Sequence, residues 1–113
     1  IRSSIFINAD VRMAEYAAKA GADRVELYTG PYAHGYARNR EEAIAPFFET
    51  AKRVKQLGIG LNAGHDLSLE NLAYLTDIIP WVDEVSIGHA LICDALYMGL
   101  EATIAAYQKC LIK

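Results

Sequence analysis

Four times along the chain a short apolar run gives way to a stretch with helical spacing, and this alternation limits the fold more than any other feature. Residues 3–8 (SSIFIN) carry Ile5, Phe6 and Ile7 and end at polar Asn8, with Asp10 close behind. The Asp10 carboxylate can cap the helix that follows, which has Met13, Tyr16, Ala17 and Ala20 on one face and stops at Gly21. Residues 24–28 (RVELY) read as a second strand, closed by Thr29, Gly30 and Pro31. The polar, Tyr-rich residues 32–39 are expected to form a loop. Beyond them Ile44, Phe47, Phe48, Ala51, Val54 and Leu57 recur at three- and four-residue steps, the clearest amphipathic helix in the sequence. Gly58 ends it, and residues 59–62 give a third strand. Ser68 caps a helix holding Leu69, Leu72, Tyr74 and Leu75, with Pro80 just past its end. Residues 84–87 (EVSI) are the fourth strand, closed by Gly88 and His89. One last helix is expected from about Ile92 onwards, with Leu96, Leu100, Ile104, Tyr107 and Leu111 turned inward.

Strands that alternate with helices imply an α/β fold of parallel βα units. Four units in 113 residues amount to half of a (β/α)₈ (TIM) barrel, which typically needs ~250 residues. A self-contained four-stranded sheet of doubly wound type competes, although neither G-x-G-x-x-G nor a P-loop is present to support it. A faint internal echo pairs residues 6–9 (FINA) with residues 60–63 (GLNA). The chain opens on Ile1, almost inside its first strand, so residues 1–113 are expected to be one partial domain of a longer polypeptide. An apolar fraction of 53% and a charged fraction of 22% suit a folded core. A net charge of −3 without a cluster of Lys and Arg speaks against nucleic-acid binding. No apolar run is long enough to cross a bilayer. Two cysteines, Cys93 and Cys110, make neither a disulfide framework nor a zinc site, and fit reduced thiols in a cytoplasmic protein.

In a barrel, reactive groups sit where strands end and βα loops begin. That rule selects Asn8 and Asp10, Glu26 and Thr29, residues 62–66, and Gly88 with His89, all expected to face one mouth. His65, in NAGHD, can donate or accept a proton near neutral pH, and Ala63 and Gly64 leave room for a ligand. A loop histidine bonded to a neighbouring carbonyl or carboxylate is the alternative. Gly88, His89 and Ala90 lead from a strand towards a helix, whose free N–H groups suit a phosphate. Equally, Gly88 can be a turn residue and His89 a cap. Glu26 alternates with apolar Val25 and Leu27, so it points into a barrel, as an ion-pair partner or as a proton-transfer group. Tyr28, Tyr32 and Tyr36 suggest a binding stripe but serve equally well as packing, and His34 has no evident partner. No metal-ligand spacing occurs, and Ser86 lacks a nucleophile elbow.

Three stretches say more than their residue types. GADRVELYTGPYA (21–33), GIGLNAGHDLSLENL (58–72) and DEVSIGHALICDALYMGLEATI (83–104) together resemble the pyridoxine 5′-phosphate synthase family, over essentially the whole chain. These are the ring-closing enzymes of the deoxyxylulose-dependent vitamin B6 pathway. The resemblance implies a cytoplasmic (β/α)₈ barrel assembled into a homo-octamer. It implies condensation of 3-amino-2-oxopropyl phosphate with 1-deoxy-D-xylulose 5-phosphate to pyridoxine 5′-phosphate, phosphate and water, with no metal and no redox cofactor. Its N-A-G-H histidine is a proton donor, which places that role on His65. Asp66, Gly88 and His89 take the family's positions for binding the amino-ketone phosphate. Some members have Gly where Asp66 stands, so its backbone N–H rather than its carboxylate is expected to face the ligand. Glu26 could relay a proton or orient water.

The chain departs from the family in one respect. The family's general-base His, its catalytic Glu, the basic residues for the second substrate and its lid loop belong to another half that is not found here. The 113 residues are therefore expected to be the C-terminal half of the enzyme and inactive alone. A non-catalytic phosphate-binding half-barrel, and another phosphosugar-converting barrel enzyme, are the competing readings. Against lysine-dependent aldolases, no strand ends in a Lys suited to a Schiff base.

Overall fold

Side-chain alternation along RVELY sets the layers of the molecule. Val25 and Leu27 are fully buried, whereas Arg24, Glu26 and Tyr28 turn to the opposite face and are only partly covered. The computed structural model describes residues 1–112. Its strands β1 (Ser4–Ile7), β2 (Arg24–Tyr28), β3 (Gly60–Gly64) and β4 (Glu84–Ser86) form one parallel sheet in that order. Helices α1 (Val11–Lys19), α2 (Gly30–Leu57) and α3 (Leu72–Ile78) make the crossovers, and α4 (His89–Met98) and α5 (Leu100–Leu111) follow β4. Crossovers between parallel strands are right-handed, so strands laid down in sequence order keep their helices on one side. A doubly wound sheet needs a reversal of strand order. None occurs among the described residues, which removes that alternative and leaves the arrangement of half a (β/α)₈ barrel.

The core lies between this sheet and its helices. Ile7, Val25, Leu27, Leu61 and Ala63 meet Ala14 and Ala17 of α1, Phe47, Ala51 and Val54 of α2, and Leu72 and Leu75 of α3. The other face is polar. Phe6, Glu26, Asn62 and Glu84 stand level across the four strands. Asn62 accepts from Arg24 Nη1 at 3.1 Å and donates to Glu84 Oε1 at 3.0 Å. Arg2 reaches the same Glu84 oxygen at 3.0 Å, joining the two edges of the sheet over this face.

Several expectations need correction. Residues 32–39 are helical, because α2 is two helices run together at Asn39 (φ −160°, ψ 96°). The Asn39 side chain accepts from Glu42 N at 3.1 Å and starts the second helix as a cap does. α1 buries Ala14 and Ala17, leaving Met13 and Tyr16 exposed, because small side chains let the helix lie close to its neighbours. β3 continues to Gly64, and β4 stops at Ser86 rather than Ile87. Ser68 caps a turn, accepting from Glu70 N at 3.3 Å, before α3 begins at Leu72. The last helix is broken by Gly99 (φ 87°) into α4 and α5. That break resets the helical phase, so Tyr107 is buried but Leu96, Leu100, Ile104 and Leu111 are exposed. Each copy of the internal echo is followed by a helix and another strand, but the two are offset in register. Phe6 is level with Glu26 and Glu26 with Asn62, so Asn8 lies past the end of β1 while Asn62 lies within β3. Asp10 does cap α1, accepting from Arg12 N at 2.9 Å.

Candidate functional site

The carboxyl ends of β2, β3 and β4 open into a cleft of about 410 Å³ lined by Glu26, His65, Asp66, Ser86, Ile87, Gly88 and His89. Local chemistry explains how each arrives there. β3 ends at Gly64, and the chain then turns through two left-handed residues, His65 (φ 102°) and Asp66 (φ 59°). That turn leaves the imidazole exposed, edge-on to Tyr28 with ring centroids 4.7 Å apart and to Phe6 at 6.5 Å. The ring is therefore not sunk in packed hydrocarbon. After β4 the chain enters α4 at His89, with Gly88 as the N-cap residue and no side chain capping it. The first N–H groups of a helix have no partner within it, so this end has free donors and carries the positive end of the helix dipole.

Glu26 reaches the cleft from one step below the strand ends. A methyl group at Gly64 would stand 2.9 Å from Glu26 Oε2 and 3.2 Å from Ser86 Cβ, so the bare glycine is what lets the carboxylate lie there. Among the described residues none makes an ion pair with Glu26. The five residues to which the sequence assigns a site role, His65, Asp66, Gly88, His89 and Glu26, thus line one cleft.

The other strand-end candidates have different positions. Asn62 is buried below the mouth in the polar layer, and Asp10 is engaged by Arg12 at 3.3 Å. Thr29 is fully buried and faces no solvent. His34 does have a partner, since its Nε2 lies 3.5 Å from Asp66 Oδ2 and draws that carboxylate towards the start of α2. Tyr32 is buried with its hydroxyl donating to the Asn71 carbonyl, and burial pushes its phenol well above the usual tyrosine range. Ser86 and Ile87 went unselected, although alternation along EVSI already sets Ser86 on the face of Glu84. A larger hollow of about 620 Å³ lies beside β4; Asp83 and Glu84 line it, and among the described residues no basic side chain does.

Fold and cleft define the class of protein: a chain of parallel βα units with a polar cleft at the carboxyl ends of its strands, bounded by an imidazole and an uncapped helix N-terminus. The model of one family, described as "Pyridoxal phosphate biosynthesis protein PdxJ", matches residues 1–113. The chain belongs to that family. It is 69% identical over 111 residues to a pyridoxine 5′-phosphate synthase of Bacteroides thetaiotaomicron, covering 98% of this chain and 47% of the relative. Pyridoxine 5′-phosphate synthases of Phocaeicola vulgatus and Bacteroides fragilis match with the same coverage, at 69% and 66% identity. The chain spans about half the length of the curated relatives it matches. No helix of the described residues is long and apolar enough to cross a membrane.

Proposed function

We propose that this chain supplies one half of a pyridoxine 5′-phosphate synthase site, in which 3-amino-2-oxopropyl phosphate condenses with 1-deoxy-D-xylulose 5-phosphate to pyridoxine 5′-phosphate. One observation carries the reading: His65, Asp66, Gly88 and His89, distant in sequence and matching the family's motifs, line a single cleft. Imine formation, enolisation, loss of water and phosphate, and aromatisation need serial proton transfers between substrates held still. His65 acts as proton donor to carbons above the cleft. The amide of Asp66 and the start of α4 at Gly88 and His89 grip the phosphate of the amino-ketone. The position of Asp66's carboxylate supports that division, because its Oδ2 lies 3.5 Å from His34 Nε2, beside the start of α2. Glu26, deeper in the same cleft, relays a proton or orients water.

The 113 residues are one part of a longer, cytoplasmic single-domain chain that closes as a (β/α)₈ barrel and assembles as a homo-octamer. The coverage of the relatives supports the longer chain, and the open edges of β1 and β4 support closure. Alone, the 113-residue chain is inactive, since the groups for the second substrate lie elsewhere. The test is to mix the full-length protein with both phosphorylated substrates and follow the product's absorbance. Appearance of pyridoxine 5′-phosphate is the expected result; phosphate-ligand binding without product would contradict the reading.

A further inference from the structure

His65 and Asp66 are the only non-glycine residues with positive φ among those described, and they are adjacent. Side-chain-bearing residues avoid this region unless their surroundings hold them in it. Here each carbonyl of the pair is held by a buried side chain from a different element. Thr29 Oγ1 donates to His65 O at 2.7 Å, and Asn71 Nδ2 donates to Asp66 O at 3.3 Å. Thr29 is 0% and Asn71 5% exposed. Both clamps are themselves fixed. Thr29 N donates to Gly64 O at 3.0 Å, while Asn71 Oδ1 accepts from Ser68 N at 3.0 Å and the Asn71 carbonyl takes the Tyr32 hydroxyl.

We propose that Thr29 and Asn71 are positioning residues that set the 65–66 turn, aiming the Asp66 amide at an anionic ligand and the His65 imidazole at the reacting carbons. The geometry follows from the planarity of the peptide unit. In a trans peptide the C=O and the N–H point in opposite directions, and no described residue has a cis bond. Drawing His65 O inward to Thr29 therefore turns the Asp66 N–H outward. The Asn71 contact fixes the next peptide in the same way, so the pair of left-handed residues cannot relax by rotating either unit. Thr29 never reaches the ligand: its hydroxyl is buried and its donor is engaged by the His65 carbonyl.

The inference deepens the proposed synthase reading and rests on it for the identity of the ligand. Its test uses the full-length chain carrying Thr29→Val, which keeps the shape and deletes the donor, Thr29→Ser, which restores it, and Asn71→Asp, which deletes the Nδ2 donor. A misplaced turn is expected to lower kcat/KM of Thr29→Val by about tenfold or more, raise KM for the amino-ketone phosphate and shift the pH profile of kcat, with Thr29→Ser close to wild type. Asn71→Asp is expected to change in the same direction. Independently of turnover, the Asp66 amide NMR signal is followed during titration with inorganic phosphate. Its response should weaken in Thr29→Val and return in Thr29→Ser. If the wild-type chain makes no product yet the amide behaves this way, the synthase reading falls and the clamp stands. If Thr29→Val keeps wild-type kcat/KM, pH profile and amide response, the clamp is overturned with the synthase intact. Should Thr29→Val fail to fold, Asn71→Asp decides: unchanged kinetics and phosphate response there overturn the proposal.

Discussion

Glu26 and Gly64 occupy neighbouring strands, and the carboxylate of one lies where the other lacks a side chain. An added methyl at Gly64 would stand 2.9 Å from Glu26 Oε2 and 3.2 Å from Ser86 Cβ, so the carboxylate must move and β4 must also give way slightly. Gly64→Ala in the full-length enzyme is therefore expected to cost about 1–3 kcal/mol of stability and to lower kcat by about tenfold by displacing Glu26. Thermal melts and steady-state kinetics on one preparation check both, and an unchanged kcat would remove Glu26 from the reaction. Gly88 makes a different case. A Cβ there would meet nothing within 4 Å, so a side chain is accommodated by the fold while it enters the place proposed for the phosphate. Gly88→Leu should weaken amino-ketone phosphate binding with little change in melting temperature; equal affinity would contradict the phosphate cradle. Glu26, His65, Asp66, Gly88 and His89 were legible in the sequence because strand ends are where such folds expose side chains; Ser86 and Ile87, which complete the lining, were not. Thr29 and Asn71 were not legible in their role. Their bonds to residues 36 and 5 positions away depend on how α2 and α3 dock, and no local pattern encodes that.

At the scale of elements, the Ile44 to Leu57 pattern was readable because periodic apolar spacing is a local signal, and Ile44, Phe47, Ala51 and Val54 are indeed buried. Residues 32–39 were misread as a loop because Pro31, Gly35 and five polar or aromatic residues lower helix propensity, which buried contacts of Tyr32 override. The break at Asn39 is a true cap. Asn39→Ala is expected to destabilise the chain by about 1 kcal/mol, read as a lower urea midpoint; no change would mean that α2 does not depend on it. α4 and α5 are joined by Tyr107, whose hydroxyl donates to Asp94 Oδ2 at 2.8 Å. Burial, then the Asp94 hydrogen bond, pushes this phenol up to about 12. An unfolded tyrosine titrates near 10. The folded chain thus holds the proton more tightly, and its stability is full below pH ~10 and lost as pH rises towards ~12. Tyr107→Phe should flatten that alkaline loss in urea melts between pH 9 and 11; an unchanged slope would assign the loss to other groups, Tyr32 first among them.

The whole molecule shows where local signals end. Leu96, Leu100 and Ile104 carry a helical apolar period, yet they lie exposed on α4 and α5. Periodicity marks a face that buries apolar surface against something without saying what. β1 and β4 are likewise open edges of the sheet, with unpaired backbone donors and acceptors. The isolated 113-residue chain is therefore expected to self-associate, and sedimentation velocity should show species heavier than 12.4 kDa. A clean monomer at high concentration would mean that these surfaces tolerate water. Fold class, strand order and the mouth of the cleft were legible from alternation and strand-end rules, whereas the partners of the outer helices depend on long-range packing.

If the tips of β3 and β4 hold an anionic ligand so that the His65 imidazole reaches its reacting carbons, turnover depends on that ring. The most direct measurement is the turnover of full-length His65→Ala at saturating concentrations of both substrates. A general acid contributes about a hundredfold or more, so kcat should fall by at least about that factor while the amino-ketone phosphate still binds through Asp66, Gly88 and His89. Turnover near the wild-type rate would contradict the claim outright.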